Sequence, residues 1–263
     1  MPEIKAENAS YSYRSIDILS GVSFSLSGAM FVAVLGSNGS GKSTLMRLLD
    51  ALLPLSSGDI LIDGLSVKDE KNAAEIHRRI GYVFQDPDSQ FVSPVLEEDI
   101  AFGPENLGLS DSEIERRVSE SLASVSLSGY RKRIPQLLSG GEKERAAIAG
   151  ILAMDSEIII LDEPFSMLDE DGRHEMLSLA RRAFSDKLVF YVTHRAEEAV
   201  DADLVMVLDS GHLIGIGKPR EILYSHEIES THIHLPLAVR IAKKLMLPEL
   251  PLTSEELLEA LCI

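Results

Sequence analysis

The stretch GSNGSGKST, residues 36–44, spaces Gly36, Gly39 and Gly41 among Ser37, Asn38 and Ser40, then closes on Lys42, Ser43 and Thr44. Glycines at that spacing let backbone N–H groups converge on phosphate oxygens with no Cβ in the way. An apolar run at 31–35 precedes the stretch and the helical pattern LMRLLDALL follows it. The start of that helix adds roughly half a positive charge. Lys42 is then expected to reach the β- and γ-phosphates, and the Ser43 hydroxyl to bind Mg²⁺. The chemistry of this loop is the binding of a nucleoside triphosphate.

A second group of residues suits work on that phosphate. EIIILDEP, residues 157–164, is an apolar strand ending in two acids. A carboxylate at the carboxyl end of a strand beside a phosphate loop holds Mg²⁺ through water, the role expected of Asp162. Glu163 then faces the γ-phosphate and is suited to polarising an attacking water as general base. His194 closes the strand LVFYVTH, where it is expected to contact the γ-phosphate and the attacking water. Gln85 closes IGYVFQ, where its amide senses Mg²⁺ or water.

These groups need a scaffold. Short apolar runs at 31–35, 158–161, 188–193 and 204–208 alternate with amphipathic helical stretches. That alternation predicts an α/β protein around a largely parallel sheet, with ligands at the carboxyl ends of the strands. Residues 86–150 carry no buried-strand pattern and read as an inserted helical subdomain. Within it, SDSEIERRVSESLASV predicts a helix with a capping box at Ser110 and Glu113 and a stripe at Ile114, Val118, Leu122 and Val125. After Lys218 the chain turns helical again as an appendage, and Thr253 with Glu256 caps a last helix over 255–261.

With 263 residues the chain is long enough for a full core, and no apolar run approaches the ~18 residues that span a bilayer. MPEIKAENASYSY lacks the basic and apolar regions of a secretion signal, and the single cysteine, Cys262, leaves no internal disulfide. Both agree with an intracellular protein. The net charge of −17 opposes general binding to nucleic acid or anionic lipid, so any phosphate must be held by a local pocket.

Taken in order, Tyr13, GSNGSGKST, Gln85, LSGGEKER at 138–145, IIILDEP, SMLD at 166–169 and His194 resemble the nucleotide-binding subunit of ATP-binding-cassette (ABC) proteins. The resemblance covers nearly all of residues 3–220. It implies a P-loop NTPase core of RecA-like type with an antiparallel β subdomain, an inserted helical signature subdomain and a short C-terminal helical extension. The implied ATPase domain is 1–218, with the helical subdomain at about 86–150, and the extension is 219–263. By the same resemblance Tyr13 stacks on adenine, and the loop ending at Asp169 crosses between subunits.

LSGGEKER sets two glycines in the first turn of a helix, where each costs roughly 1 kcal/mol relative to alanine. Ser139 and Glu142 form a capping box there, and Ile148, Ile151 and Leu152 give the helix its buried side. Since the phosphate loop already holds one ATP, this second anion-binding start is expected to serve the nucleotide of a partner subunit. Ser139, Gly140, Gly141 and Glu142, with Asp169, are its expected contacts in trans.

A narrower resemblance is to the ATPases of energy-coupling-factor (ECF) importers of vitamins, cobalt and nickel. GYVFQDPDSQFVSPVLEEDIAFGPENLGL, HLPLAVRIAKKL and LTSEELLEAL carry it. It implies ATP hydrolysis with Mg²⁺ at a dimer interface, coupled to uptake of a vitamin or a transition-metal ion. The implied partners are a second ABC ATPase, identical or paralogous, a transmembrane coupling protein and a membrane protein that captures the solute. Nucleic acid is not among them. The place of work is the cytoplasmic face of the cell membrane, with residues 86–94 forming one wall of a docking groove. Two departures stand out: SLSGAMFVAV replaces a glycine–glutamate turn, and Glu142 replaces the commonest glutamine, adding negative charge near a nucleotide. Neither removes a group that contacts Mg²⁺ or the transferred phosphate. The alternative is a soluble ABC ATPase outside transport, such as one of iron–sulfur assembly. His226, His232 and His234 are expected to be ordinary surface histidines, not a metal site.

Overall fold

Alternation of buried and exposed residues along Glu3–Tyr13 (β1) and Ile16–Ser27 (β2) makes a ribbon with one face on the core. Arg14 and Ser15 join the two strands at φ 47 and 67, the left-handed pair that a tight hairpin demands. The coordinates are a computed structural model that describes residues 1–86 and 89–261. Cys262, and Pro87 and Asp88 in the expected docking segment, lie outside the described residues.

The chain divides into two compact units. The first, here the loop unit, comprises Glu3–Leu26, Met30–Glu70 and Phe190–Ile263. In it β1 and β2 join Ser57–Ile62 (β4) and Leu65–Ser66 (β5) in a sheet of order β2-β1-β4-β5, with β4 antiparallel to both β1 and β5. Met30–Leu35 (β3) runs parallel to Leu204–Asp209 (β9), and His212–Gly217 (β10) returns antiparallel along β9. The helix Lys42–Leu49 (α1) follows β3 through the glycine-rich loop.

Four short helices end the loop unit: Pro219–Leu223 (α7), His226–Glu229 (α8), Leu237–Leu245 (α9) and Ser254–Leu261 (α10). Ile222, Leu223, Ile228, Val239 and Leu252 from this region share one buried cluster with Ala33, Leu35, Val205 and Val207 of the sheet. The tail is thus built into the core and is not an appendage. Its last helix starts as expected, with the Thr253 hydroxyl accepting from Glu256 N–H at 3.2 Å. The Glu256 carboxylate turns to Leu252 N–H at 2.6 Å and to Arg220 instead of closing a box.

The second, the signature unit, comprises Met1–Pro2, Ser27–Ala29 and Lys71–Val189. The turn that replaces glycine–glutamate is closed by Gly28 N–H on Pro2 O at 2.9 Å. Ala73–Arg79 (α2) leads into Ile80–Val83 (β6), which pairs parallel with Ile158–Asp162 (β7). Leu96–Asn106 (α3), Asp111–Ser124 (α4) and Gly140–Met154 (α5) pack together, burying Leu96, Ile100, Val118, Leu122 and Ile148 almost completely. Glu170–Ala183 (α6) packs on α5. Arg117 donates to the carbonyls of Ala153 and Met154 at 3.2 Å, closing the C-terminal end of α5.

Half of the capping box expected at α4 forms. The Ser110 hydroxyl accepts from Glu113 N–H at 3.4 Å. The Glu113 carboxylate is taken by Arg116 and Arg117, at positions i+3 and i+4, and these hold it well ionised, its pKa lowered to about 2.

Leu188–Thr193 (β8) takes residues from both units; the strand order within the loop unit is β10-β9-β3, and within the signature unit β7-β6. The four predicted buried strands are β3, β7, β8 and β9, each within one residue of its expected bounds. Their interiors are buried on both faces, as a sheet covered by helices requires.

Candidate functional site

The loop unit holds the glycine-rich stretch between β3 and α1. Gly41 is the N-cap of α1 at φ 103, where an L side chain is strained. A Cβ there would lie 2.7 Å from Leu19 and 3.1 Å from the Ile18 carbonyl oxygen. One on Gly36 would lie 2.4 Å from the Leu208 carbonyl oxygen and equally close to Ser40 Oγ. The chain's own packing therefore requires these glycines. Lys42 is buried, and its ammonium donates to the carbonyls of Gly36 at 2.9 Å and Ser37 at 3.1 Å, which holds it across the loop. Ser40 is 2% exposed, and its hydroxyl has no hydrogen-bond partner. A buried hydroxyl left so is costly unless a bound group supplies the partner. Asp50, the C-cap of α1, is buried, and that burial raises its pKa to about 7.

In the same unit His194 stands exposed just past β8. The turn that carries it is braced by a buried acid that sequence reasoning missed. Glu198 Oε2 accepts from Thr193 Oγ1 at 2.6 Å and from the Tyr191 hydroxyl at 2.8 Å. Thr193 Oγ1 in turn accepts from Arg195 N–H at 3.0 Å. The signal in the sequence was a glutamate five residues after a strand-ending threonine. Tyr13 ends β1 and is 55% exposed, and the Arg14 guanidinium lies 5.3 Å from the ring centroid.

In the signature unit β7 ends in Asp162, 3% exposed, and Glu163 follows at φ 47. A glutamate in the left-handed region is strained, and such strain persists where the surroundings over-determine it, often at functional positions. Asp162 Oδ2 accepts from the Tyr82 hydroxyl of β6 at 2.9 Å, and the Tyr82 ring stacks on Phe84 at 4.4 Å. Sequence reasoning did not single out Tyr82. The parallel register sets Val83 opposite Leu161, so Gln85 and the Asp162–Glu163 pair share one edge of the β6–β7 pair. Gln90 Nε2 donates to the Tyr82 carbonyl of β6 at 3.2 Å.

The signature helix α5 begins in the same unit. Ser139 is its N-cap in an extended conformation, and the Glu142 carboxylate closes back on it. Glu142 Oε2 accepts from Ser139 N–H at 2.7 Å and from the Ser139 hydroxyl at 2.8 Å. The same carboxylate bonds the Tyr130 hydroxyl; with Ser139 first among the causes, these bonds lower its pKa. A Cβ added to Gly140 would meet nothing within 4 Å, and one on Gly141 only Leu168 at 3.9 Å. That contact sets the loop at 166–169 beside the helix start. The loop ends in Asp169, the N-cap of α6, which accepts from Gly172 N–H at 2.9 Å. Further along α5, Glu144 is 2% exposed with neither carboxylate oxygen hydrogen-bonded, and its burial raises its pKa to about 8.

The expected site residues thus form two groups. Gly36 to Thr44, Tyr13 and His194 lie in the loop unit; Gln85, Asp162, Glu163, Ser139 to Glu142 and Asp169 lie in the signature unit. His226 pairs with Glu229 at 3.6 Å, and no metal-holding group of three or more His, Cys, Asp or Glu occurs among the described residues.

The profile of the ABC transporter family matches residues 19–166. The chain is 45% identical to the energy-coupling factor transporter ATP-binding protein EcfA1 of Symbiobacterium thermophilum, covering 99% of this chain and 97% of that one. It is 40% identical to the protein of the same name from Clostridium perfringens, over 98% of this chain and 97% of the relative. Among solved structures, cbiO1 of Clostridium perfringens, part of the ABC transporter complex cbiONQ, superimposes with TM-score 0.77 at 32% identity, covering 92% of this chain and 98% of that one. The ATP-binding cassette MJ0796, bound to ADP and phosphate in a post-hydrolysis dimer, gives 0.71 at 27% identity over 82% and 98%.

Proposed function

We propose a mechanism from one premise: the chain belongs to the ABC transporter family, in its group of energy-coupling factor ATP-binding proteins, and is an ATPase. In this reading two such chains, identical or paralogous, bind two ATP molecules. Each nucleotide is held by the phosphate loop of one chain and the signature helix start of the other. Lys42 and the N–H groups of residues 36–44 bind the β- and γ-phosphates, and Tyr13, more than half exposed, stacks on the adenine. Ser43, Asp162 and Gln85 would hold Mg²⁺. Hydroxyl, carboxylate and amide oxygens are the hard donors that this ion takes, and the unsatisfied Ser40 hydroxyl fits a loop made for a polyanion. Bound there, Mg²⁺ would neutralise phosphate charge.

Glu163 polarises the attacking water as general base, and His194, steadied by the Glu198 turn, orients it toward the γ-phosphate. Tyr82 fixes the Asp162 carboxylate. Catalysis is then mostly positioning and charge stabilisation. No helix among the described residues is long and apolar enough to cross a membrane, so transport requires membrane partners. These are a coupling protein that docks by residues 86–94 and the helical subdomain, and a protein that captures the solute, a vitamin or a transition-metal ion. The chain works at the cytoplasmic face of the membrane through them.

One observation carries the two-chain reading. Gly140 and Gly141 have no neighbour that excludes a Cβ and no positive φ, so the chain itself does not need glycine there. In the two-chain reading the bare backbone there is left for the partner's nucleotide. Ser139→Arg should leave ATP binding by the single chain intact and block ATP-driven closure of the pair, read by size-exclusion chromatography. Full ATPase activity in that variant would refute the reading.

A further inference from the structure

The Glu142 carboxylate occupies the donors that a phosphate would use. It accepts from Ser139 N–H at 2.7 Å and from the Ser139 hydroxyl at 2.8 Å. A serine hydroxyl has one proton to give. With that proton on Glu142, Ser139 Oγ presents only lone pairs outward, and a γ-phosphate oxygen brings only lone pairs. Carboxylate and phosphate are both acceptors of like charge, so they compete for one set of donors. The carboxylate is further held by the Tyr130 hydroxyl, and the nearby Arg133 guanidinium lies 5.5 Å from the Tyr130 ring centroid and adds to its stabilisation.

We propose that Glu142 is a competitive latch on Ser139, a positioning residue that must release the serine hydroxyl before the signature helix grips the partner's nucleotide. The inference rests on the reading of Ser139 as a contact in trans. It adds that this chain closes only at higher ATP than its phosphate loop alone would demand. Glutamine at the same position would keep the bond from Ser139 N–H through its amide oxygen. It would also turn a donor toward the phosphate and remove the like charge.

The test is the ATP dependence of turnover in the assembled complex, with ATP-driven pairing followed separately in a Glu163→Gln background. Glu142→Gln should lower the half-saturating ATP concentration on the order of tenfold, the value of one charge-assisted hydrogen bond, with a much smaller change in kcat. The difference should shrink as ionic strength rises, because part of it is charge repulsion. Tyr130→Phe, which loosens the carboxylate without touching α5, should move the half-saturation the same way by less. An unchanged or raised half-saturating ATP in Glu142→Gln, with pairing abolished by Ser139→Arg, overturns the latch and leaves the two-chain reading standing. Normal pairing in Ser139→Arg overturns both.

Discussion

Two helices of this chain begin on glycine, and they do so for opposite reasons. At α1, Gly41 adopts φ 103 and lies where a Cβ would meet Leu19 at 2.7 Å. At α5, Gly140 lies in open space, beside a Ser139–Glu142 capping box that would serve any helix. The first pattern is dictated from within: backbone conformation and neighbouring side chains leave no room for another residue. The second is unexplained by anything the chain itself packs there. At Gly140 there is room for a larger residue, so any loss of pairing on adding a Cβ there would not come from the chain's own packing.

The largest effect that tests this comparison separates the two starts by affinity. Lys42→Ala should weaken ATP binding by the single chain by about a hundredfold or more, since it removes charge-assisted bonds to phosphate. Ser139→Arg should leave that affinity alone. Unchanged affinity in Lys42→Ala, measured by equilibrium titration, would break the assignment of the loop. Next come the glycines themselves. Gly41→Ala should lower stability by roughly 2 kcal/mol or more, through strain and collision. Gly140→Ala should be neutral or up to about 1 kcal/mol stabilising, alanine being the better helix former, while weakening ATP-driven pairing. Equal losses in urea unfolding would show that both glycines serve the fold.

The smallest effect is one of pH. Each of the two helices keeps a buried acid, Asp50 at the end of α1 and Glu144 within α5, with pKa raised by burial to about 7 and about 8. The folded chain holds protons that the unfolded chain releases above its ordinary values of 3.8 and 4.5. Stability should therefore fall as pH rises, from about 4 to about 7 for Asp50 and from about 4.5 to about 8 for Glu144, and level off above. Each group contributes at most about 1.4 kcal/mol per pH unit. Glu144→Gln should flatten the slope between pH 7 and 8, where Asp50→Asn changes it less. An unaltered slope in Glu144→Gln would mean that the carboxyl ionises in the folded chain.

The residues that sequence made legible are those whose meaning is local. GSNGSGKST names its own turn, cap and lysine, and the runs at 158–161 and 188–193 are apolar on both faces, so strand, loop and ligand edge could be placed without a partner. Tyr82 and Glu198 were illegible because their roles depend on other parts of the fold. Tyr82 meets Asp162 across 80 residues of sequence, through the pairing of β6 with β7. Glu198 matters only because its turn folds back on the Tyr191 and Thr193 side chains. The capping boxes at Ser110 and Thr253 were each half legible. The serine and threonine did as their type prefers, while Glu113 found Arg116 and Arg117 on its own helix and Glu256 found Arg220 in α7. Competition among charged partners is invisible in a four-residue motif. The tail after Lys218 misled for the same reason: nothing in its own pattern says that Val239 will lie against the sheet core.

Glu163 sits at φ 47, a backbone conformation that favours glycine and asparagine over glutamate. Those two residues relieve the strain and, lacking the longer carboxylate, remove the proposed base. A library of this chain sorted by heat resistance alone should thus enrich Glu163→Gly and Glu163→Asn and drift toward well-folded proteins that bind ATP and no longer turn it over. At this one position durability and work are opposed, and any engineering for hardness has to hold Glu163 fixed.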